Sequence, residues 1–228
     1  IKEYEEETNL AAYAVLDASE SMSYKSAQAP VSKLEYGKFI AAALLYMILN
    51  QRDSVGLVTF DKEVREFIAP SSHASHLKLL LNQLQKTEAR GETGLGGIFH
   101  ALAERIRRKG LVIVISDLLD QPESLLFGLR HLRHRKHEVI LFHVMDKAEL
   151  TFPFDNMLKL EGLEVAREEL IDPIAIRKSY LDELHRYLEA LRKGCRTNKI
   201  DYVPIDTSMP LDIALTGYLA TRSGMKLK

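Results

Sequence analysis

Apolar residues fall along this chain in short, mostly apolar blocks, separated by longer stretches in which they recur every three or four positions. The blocks cover residues 10–16, 54–60, 111–116, 138–144 and 202–205. All five predict strands, and the runs 10–16 and 111–116 predict buried ones. The three-to-four period predicts helices over 33–50, 74–85, 96–108, 122–135, 173–195 and 211–221. Residues 64–69 follow the turn Asp61-Lys62-Glu63 and should fold back antiparallel on the second strand, until Pro70-Ser71-Ser72 breaks the pattern. Gly110 is placed to cap the helix before it. Asp172 as N-cap and Pro173 at the first helical position open the longest helix. The stretch 148–163 is the least regular, with an edge strand expected at 157–161. Strands alternating with helices predict an α/β fold: a doubly wound, mostly parallel sheet with helices on both faces and one antiparallel edge strand. With no repeat or linker in view, residues 1–228 read as a single domain.

Composition narrows the function more than the fold. The chain has 228 residues, 46% hydrophobic and 28% charged, with a formal net charge of -1. That balance fits a soluble, well-cored domain and gives no support to a nucleic-acid or membrane-surface role. Cys195 is the sole cysteine, so no internal disulfide forms. It is expected as a buried, inert thiol in a reducing cytoplasm. No secretory signal is visible. The longest apolar run, 39–49, falls short of the ~20 residues that span a bilayer and reads as a buried core helix. The chain starts at Ile1 rather than Met and is expected to be a piece of a longer polypeptide.

Candidate chemistry gathers where the apolar blocks end. Asp17, Ser19 and Ser21 alternate in Asp17-Ala18-Ser19-Glu20-Ser21, just after the first block. One carboxylate and two hydroxyls make a half-site for a hard divalent cation, which takes oxygen ligands and keeps several waters. Asp117 follows the third block, and Thr93 stands in a glycine-rich loop just before a helix. In a parallel sheet the carboxyl ends of the strands form the ligand-binding edge, so Asp17, Ser19, Ser21, Thr93 and Asp117 would converge there. Each also has an ordinary alternative: turn residues for the serines, a helix N-cap for Thr93, and a cap of the turn before Pro122 for Asp117.

This set resembles the metal-ion-dependent adhesion site of von Willebrand factor A domains, matching it at all five positions over most of the chain. Tyr4-Glu5-Glu6-Glu7-Thr8-Asn9-Leu10, Ser54-Val55-Gly56-Leu57-Val58-Thr59-Phe60-Asp61 and Ile115-Ser116-Asp117-Leu118-Leu119 carry a narrower likeness. They are similar to a bacterial family of uncharacterised von Willebrand A-like proteins often encoded beside MoxR-type AAA+ ATPases. Asp172 with Tyr180, and Tyr218-Leu219-Ala220-Thr221-Arg222, also fit it. The resemblance implies Mg2+, with Mn2+ as a substitute. It implies hydroxyl ligation by Ser19 and Ser21, water-mediated contact from Asp17 and Asp117, and Thr93 joining or leaving with conformational state. An open position would take an acidic side chain from a partner protein. The implied role is a non-enzymatic adaptor, with a MoxR-type ATPase as partner, no nucleic acid, and an additional segment upstream. One departure is Glu20, where many such loops carry Gly; it restricts the backbone and adds a carboxylate.

Other readings are weaker. A Mg2+-dependent phosphohydrolase also places a strand-end Asp beside its ion, but the expected second Asp is Ser19 here, and nothing in the sequence fixes Lys25 or Lys33 nearby. A serine hydrolase lacks its Gly-x-Ser-x-Gly turn. The segment 91–97 lacks the Gly-Lys-Ser/Thr ending of a phosphate loop. His131, His134 and His137 recur three apart and have zinc spacing. The cations among them favour a solvated helix end that complements the macrodipole.

Overall fold

In the computed structural model, which describes residues 10–161 and 168–226, four of the five apolar blocks form the middle of one sheet, while the fifth, 202–205, lies at its edge and is only partly buried. The strands are β1 (Ala11–Asp17), β2 (Ser54–Phe60), β3 (Val64–Ser71), β4 (Leu111–Ser116), β5 (Glu138–Met145), β6 (Leu158–Glu161), β7 (Glu168–Ile171) and β8 (Asp201–Asp206). The helices are α1 (Lys33–Asn50), α2 (Ala74–Lys86), α3 (Leu95–Arg105), α4 (Pro122–His134), α5 (Lys147–Thr151), α6 (Pro173–Thr197) and α7 (Leu211–Lys226). A single 3-10 turn, Glu20–Ser23, follows β1.

The main sheet runs β3-β2-β1-β4-β5-β8. Every pairing in it is parallel except that of β2 with the edge strand β3. The inner strands β1, β2, β4 and β5 are buried nearly end to end because both faces are covered, whereas the edge strands β3 and β8 keep polar, partly exposed positions. Alternate residues divide between two cores. Ala12, Ala14, Leu16, Ile113, Ile115 and Phe142 face the side of α1, α2 and α7. Tyr13, Val15, Val112, Val114 and Leu141 face α3, α4 and α6. From β1 the chain builds β2 on one side and later β4 on the other. The order therefore reverses between β1 and β4, which is where ligands bind in open parallel sheets.

Several local expectations change. β3 continues through Pro70 to Ser71, because it lies at the sheet edge and its register slips beside Gly56, where a proline without an N–H is tolerated. The helix expected over 96–108 stops at Arg105, so Gly110 does not cap it. Instead a Cβ on Gly110 would sit 2.3 Å from Ala11 O, and the residue serves close backbone approach as the chain enters β4. The strand near 157–161 forms, but it pairs antiparallel with β7 in a separate two-stranded sheet. The short helix α5 lies in the stretch read as irregular. The run 39–49 is not buried all round: Ile40, Ala41, Leu44 and Leu45 face the core while Phe39 and Tyr46 are half exposed. Among the described residues no helix is long and apolar enough to cross a membrane. The motif 4–10 lies, up to residue 9, outside the described residues.

Candidate metal centre

Asp17 closes β1 and Asp117 follows β4, and these strands are paired in register up to Leu16 and Ile115. The two carboxylates therefore meet at the sheet's switch point. Ser116 braces one of them, its Oγ donating to Asp17 Oδ2 at 2.6 Å and accepting from Leu118 N at 2.9 Å. Asp17 Oδ1 accepts from Ser19 N at 2.9 Å. That bond bends the chain into the 3-10 turn and brings the Ser19 and Ser21 hydroxyls within 3.2 Å of each other. Neither serine side chain caps a helix end. Asp17 and Ser19 are fully buried, and Ser21 and Asp117 are 4% and 3% exposed. Burial, and then the charge of Asp117, raise the Asp17 carboxyl to about 7, against the hydrogen bonds from Ser116 and Ser19 that lower it. Two carboxylates buried together resist being charged at once, and a proton or a nearby cation relieves them.

Thr93 arrives on a separate loop that is tied to the β1 loop by its backbone. Arg90 N donates to Ala18 O at 3.0 Å, and Glu20 N donates to Gly91 O at 2.9 Å. Gly91 has φ +75, a left-handed conformation that favours glycine. Arg65 holds the loop's base, with Nε on Asp61 Oδ2 at 2.7 Å, Nη1 on Glu88 O at 2.7 Å and Nη2 on Arg90 O at 3.0 Å. Gly94, not Thr93, is the N-cap of α3 and makes no side-chain cap bond. Thr93 Oγ1 is buried with no hydrogen-bond partner, and so is Asp117 Oδ1. Asp17, Ser19, Ser21 and Asp117 thus share one polar cluster. Thr93 is tethered to it through the backbone bond at Gly91 and makes no hydrogen bond to its members. Buried polar atoms are rarely left unpaired. Two orphaned oxygens among an all-oxygen donor set are what a hard cation such as Mg2+ would satisfy.

Lys33, which the sequence could not place near the site, proves to sit in it. It is 1% exposed, and its Nζ donates to Asp117 Oδ2 and to Glu149 Oε1, both at 2.7 Å. Burial works against its charge, but Asp117 and Glu149 outweigh it and hold the ammonium above its ordinary value. A clue was present in the sequence. Lys33 is the first residue of α1, after the capping Ser32, where the helix dipole disfavours a cation. Beyond Lys33 the network continues. Glu149 Oε2 accepts from Asp146 N at 2.7 Å, and Asp146 Oδ2 accepts from Ser26 N at 2.9 Å. The β1, β4 and β5 loops are thereby joined beneath one surface. His143, the polar break in β5, lies 2.9 Å from Asp117 O through Nε2 and 2.7 Å from Tyr202 Oη through Nδ1. Burial pushes it down to about 4 despite the opposing Asp117. The ring is neutral near pH 7, so Nε2 donates to the carbonyl and Nδ1 accepts from the tyrosine.

The three histidines at and just beyond the end of α4 part company. His131 Nδ1 lies 2.7 Å from His100 Nδ1, while His137 is buried with Nε2 3.2 Å from Ile106 O. Among the described residues no three His, Cys, Asp or Glu side chains are grouped as they would be around a metal ion. Any ion at the switch point therefore depends on the hydroxyls of Ser19, Ser21 and Thr93.

A family model described as "Protein of unknown function DUF58" matches residues 1–188. No curated protein sequence matches the chain. Among solved structures the chain is similar to the conserved hypothetical protein BatB from Bacteroides thetaiotaomicron, at 15% identity and TM-score 0.58, covering 96% of this chain and 100% of that one. It is similar to an aerotolerance-related membrane protein from Bacteroides fragilis NCTC 9343, at 15% identity and TM-score 0.52, covering 87% and 92%. It is also similar to the SpRpn10 VWA domain, at 14% identity and TM-score 0.50, covering 90% and 93%. At these identities the likeness establishes the fold, which is von Willebrand A-like.

Proposed function

The chain belongs to the DUF58 family of proteins of unknown function, and from that membership and its von Willebrand A-like fold we propose that it is a divalent-metal-dependent protein-binding module with no catalysis of its own. The observation that carries this reading is that Asp117 Oδ1, at the strand ends beside Asp17, and Thr93 Oγ1, on the loop tied to the β1 loop at Gly91, are both buried without partners. These five residues would hold Mg2+, or Mn2+ in its place. The ion would supply a coordination position for a carboxylate from a partner protein. Lys33 neutralises one side of Asp117 and leaves the other oxygen to the ion.

The phosphohydrolase alternative gains a lysine near the site but not an available one. Lys33 is held by two carboxylates, and Ser19 stands where a general acid would be needed. The proposed partner is a MoxR-type AAA+ ATPase, with the chain as a cytoplasmic adaptor in the assembly or maturation of other proteins. This part rests on the sequence resemblance. The test is binding to a purified MoxR-type ATPase in Mg2+ and in EDTA, for wild type and Asp17→Asn. Binding that needs both Mg2+ and Asp17, without turnover of a generic phosphate ester, is the expected result. Turnover lost in Asp17→Asn would overturn the reading.

A further inference from the structure

Beside the switch point, between the β4 loop, β5, α5 and α6, lies a cavity of about 560 Å³, within the size of small-ligand sites (roughly 300–1,000 Å³). Its lining among the described residues includes four carboxylic acids, Asp117, Asp120, Glu149 and Glu183, and neither lysine nor arginine. Lys33 offsets only one of the two carboxylates it bridges. Among the described residues Glu183 pairs with Arg186, through side chains 67% and 71% exposed, where ion pairs are worth little. Asp117 also lines the cavity and is nine-tenths buried. Tyr180 Oη donates to Glu149 O and Tyr187 Oη donates to Leu118 O, so what these tyrosines leave to the cavity is ring.

A pocket with acidic edges, aromatic walls and apolar surface suits a long cation with an apolar stem. A guanidinium fits best, because it binds carboxylates as a planar fork and stacks on rings. Leu119 at the mouth is 57% exposed, and a polypeptide occupant would cover it where a free small cation would not. We propose that this cavity receives an arginine side chain of the protein partner, next to the carboxylate that helps hold the metal. This deepens the protein-binding reading and rests on it.

The test is methyl NMR on protein labelled at its methionines, following Met145 in the cavity, with acetyl-Gly-Arg-Gly-amide, the same peptide carrying citrulline, and agmatine. Each is added in EDTA and again in Mg2+. The expected result is a Met145 shift with the arginine peptide in both conditions, absent with citrulline, weaker with agmatine, and lost in Glu183→Lys. An equal shift with citrulline, an unchanged response in Glu183→Lys, or no shift with the arginine peptide would overturn the proposal. Agmatine binding as tightly as the peptide would also overturn it, by making the occupant a free cation. Failure of the metal reading shows separately, as no effect of Mg2+ on thermal stability, and leaves the EDTA arm interpretable.

Discussion

Lys33 shows how much a single side chain can carry in this protein. It is buried and holds Asp117 and Glu149 at once. Removing one partner of a buried ion pair leaves charges without compensation, at a cost of roughly 3–5 kcal/mol. Lys33→Met is therefore expected to lose about that much in urea unfolding, and the double change with Asp117→Asn should recover part of it. Additive losses would mean that the pair is not coupled. Asp17→Asn is expected to be at least as stable as wild type in EDTA, since it removes one of two repelling buried carboxylates, yet to gain nothing from Mg2+. Cys195 is fully buried, and burial pushes its thiol up to about 12, so the native protein should resist thiol reagents at pH 8 and react only in denaturant. Rapid native labelling would contradict its placement. Of these residues Asp17 and Cys195 were legible in the sequence. Lys33 was not, because its partners lie 84 and 116 residues away.

At the scale of elements, pattern reading succeeded wherever burial was continuous. The strands of the main sheet and helices α1, α2, α4 and α6 fall close to their expected ranges, and Asp172 caps α6 by accepting from Ile174 N at 3.0 Å. It failed where a neighbour decides. Gly110 reads as a helix cap because glycine is common there, yet its role is contact with β1. Gly110→Ala should place a methyl against Ala11 O and destabilise by roughly 1–3 kcal/mol, seen as a lowered midpoint by circular dichroism. An unchanged midpoint would mean that the close approach to β1 does not require glycine. The strand β6 was expected as an edge, but which sheet it joins depends on β7, and an isolated periodicity carries no such information.

For the whole molecule the decisive feature is the reversal of strand order between β1 and β4. It brings residues a hundred positions apart to one edge and sets the acidic cavity beside them. A ligand bound only by the folded state stabilises it by mass action, about 2.7 kcal/mol at a hundredfold excess over Kd. Saturating Mg2+ should therefore raise the thermal midpoint of wild type, EDTA should reverse the rise, and Ser19→Ala with Ser21→Ala should abolish it. A midpoint indifferent to Mg2+ and Mn2+ in wild type would remove the metal from the proposed function.

The residue order alone was enough for the α/β class, the parallel core, the helix that Asp172 opens, and the oxygen-bearing side chains at the strand ends. These follow from local burial period and local capping chemistry, which neighbours along the chain express. Only the tertiary structure decided that Ser116 braces Asp17, that Lys33 and Glu149 hold Asp117, that Thr93 and Asp117 keep oxygens without partners, and that four carboxylates line one cavity. Charge pairing and desolvation act through space between segments far apart in sequence, and no periodicity along the chain records which segments will meet.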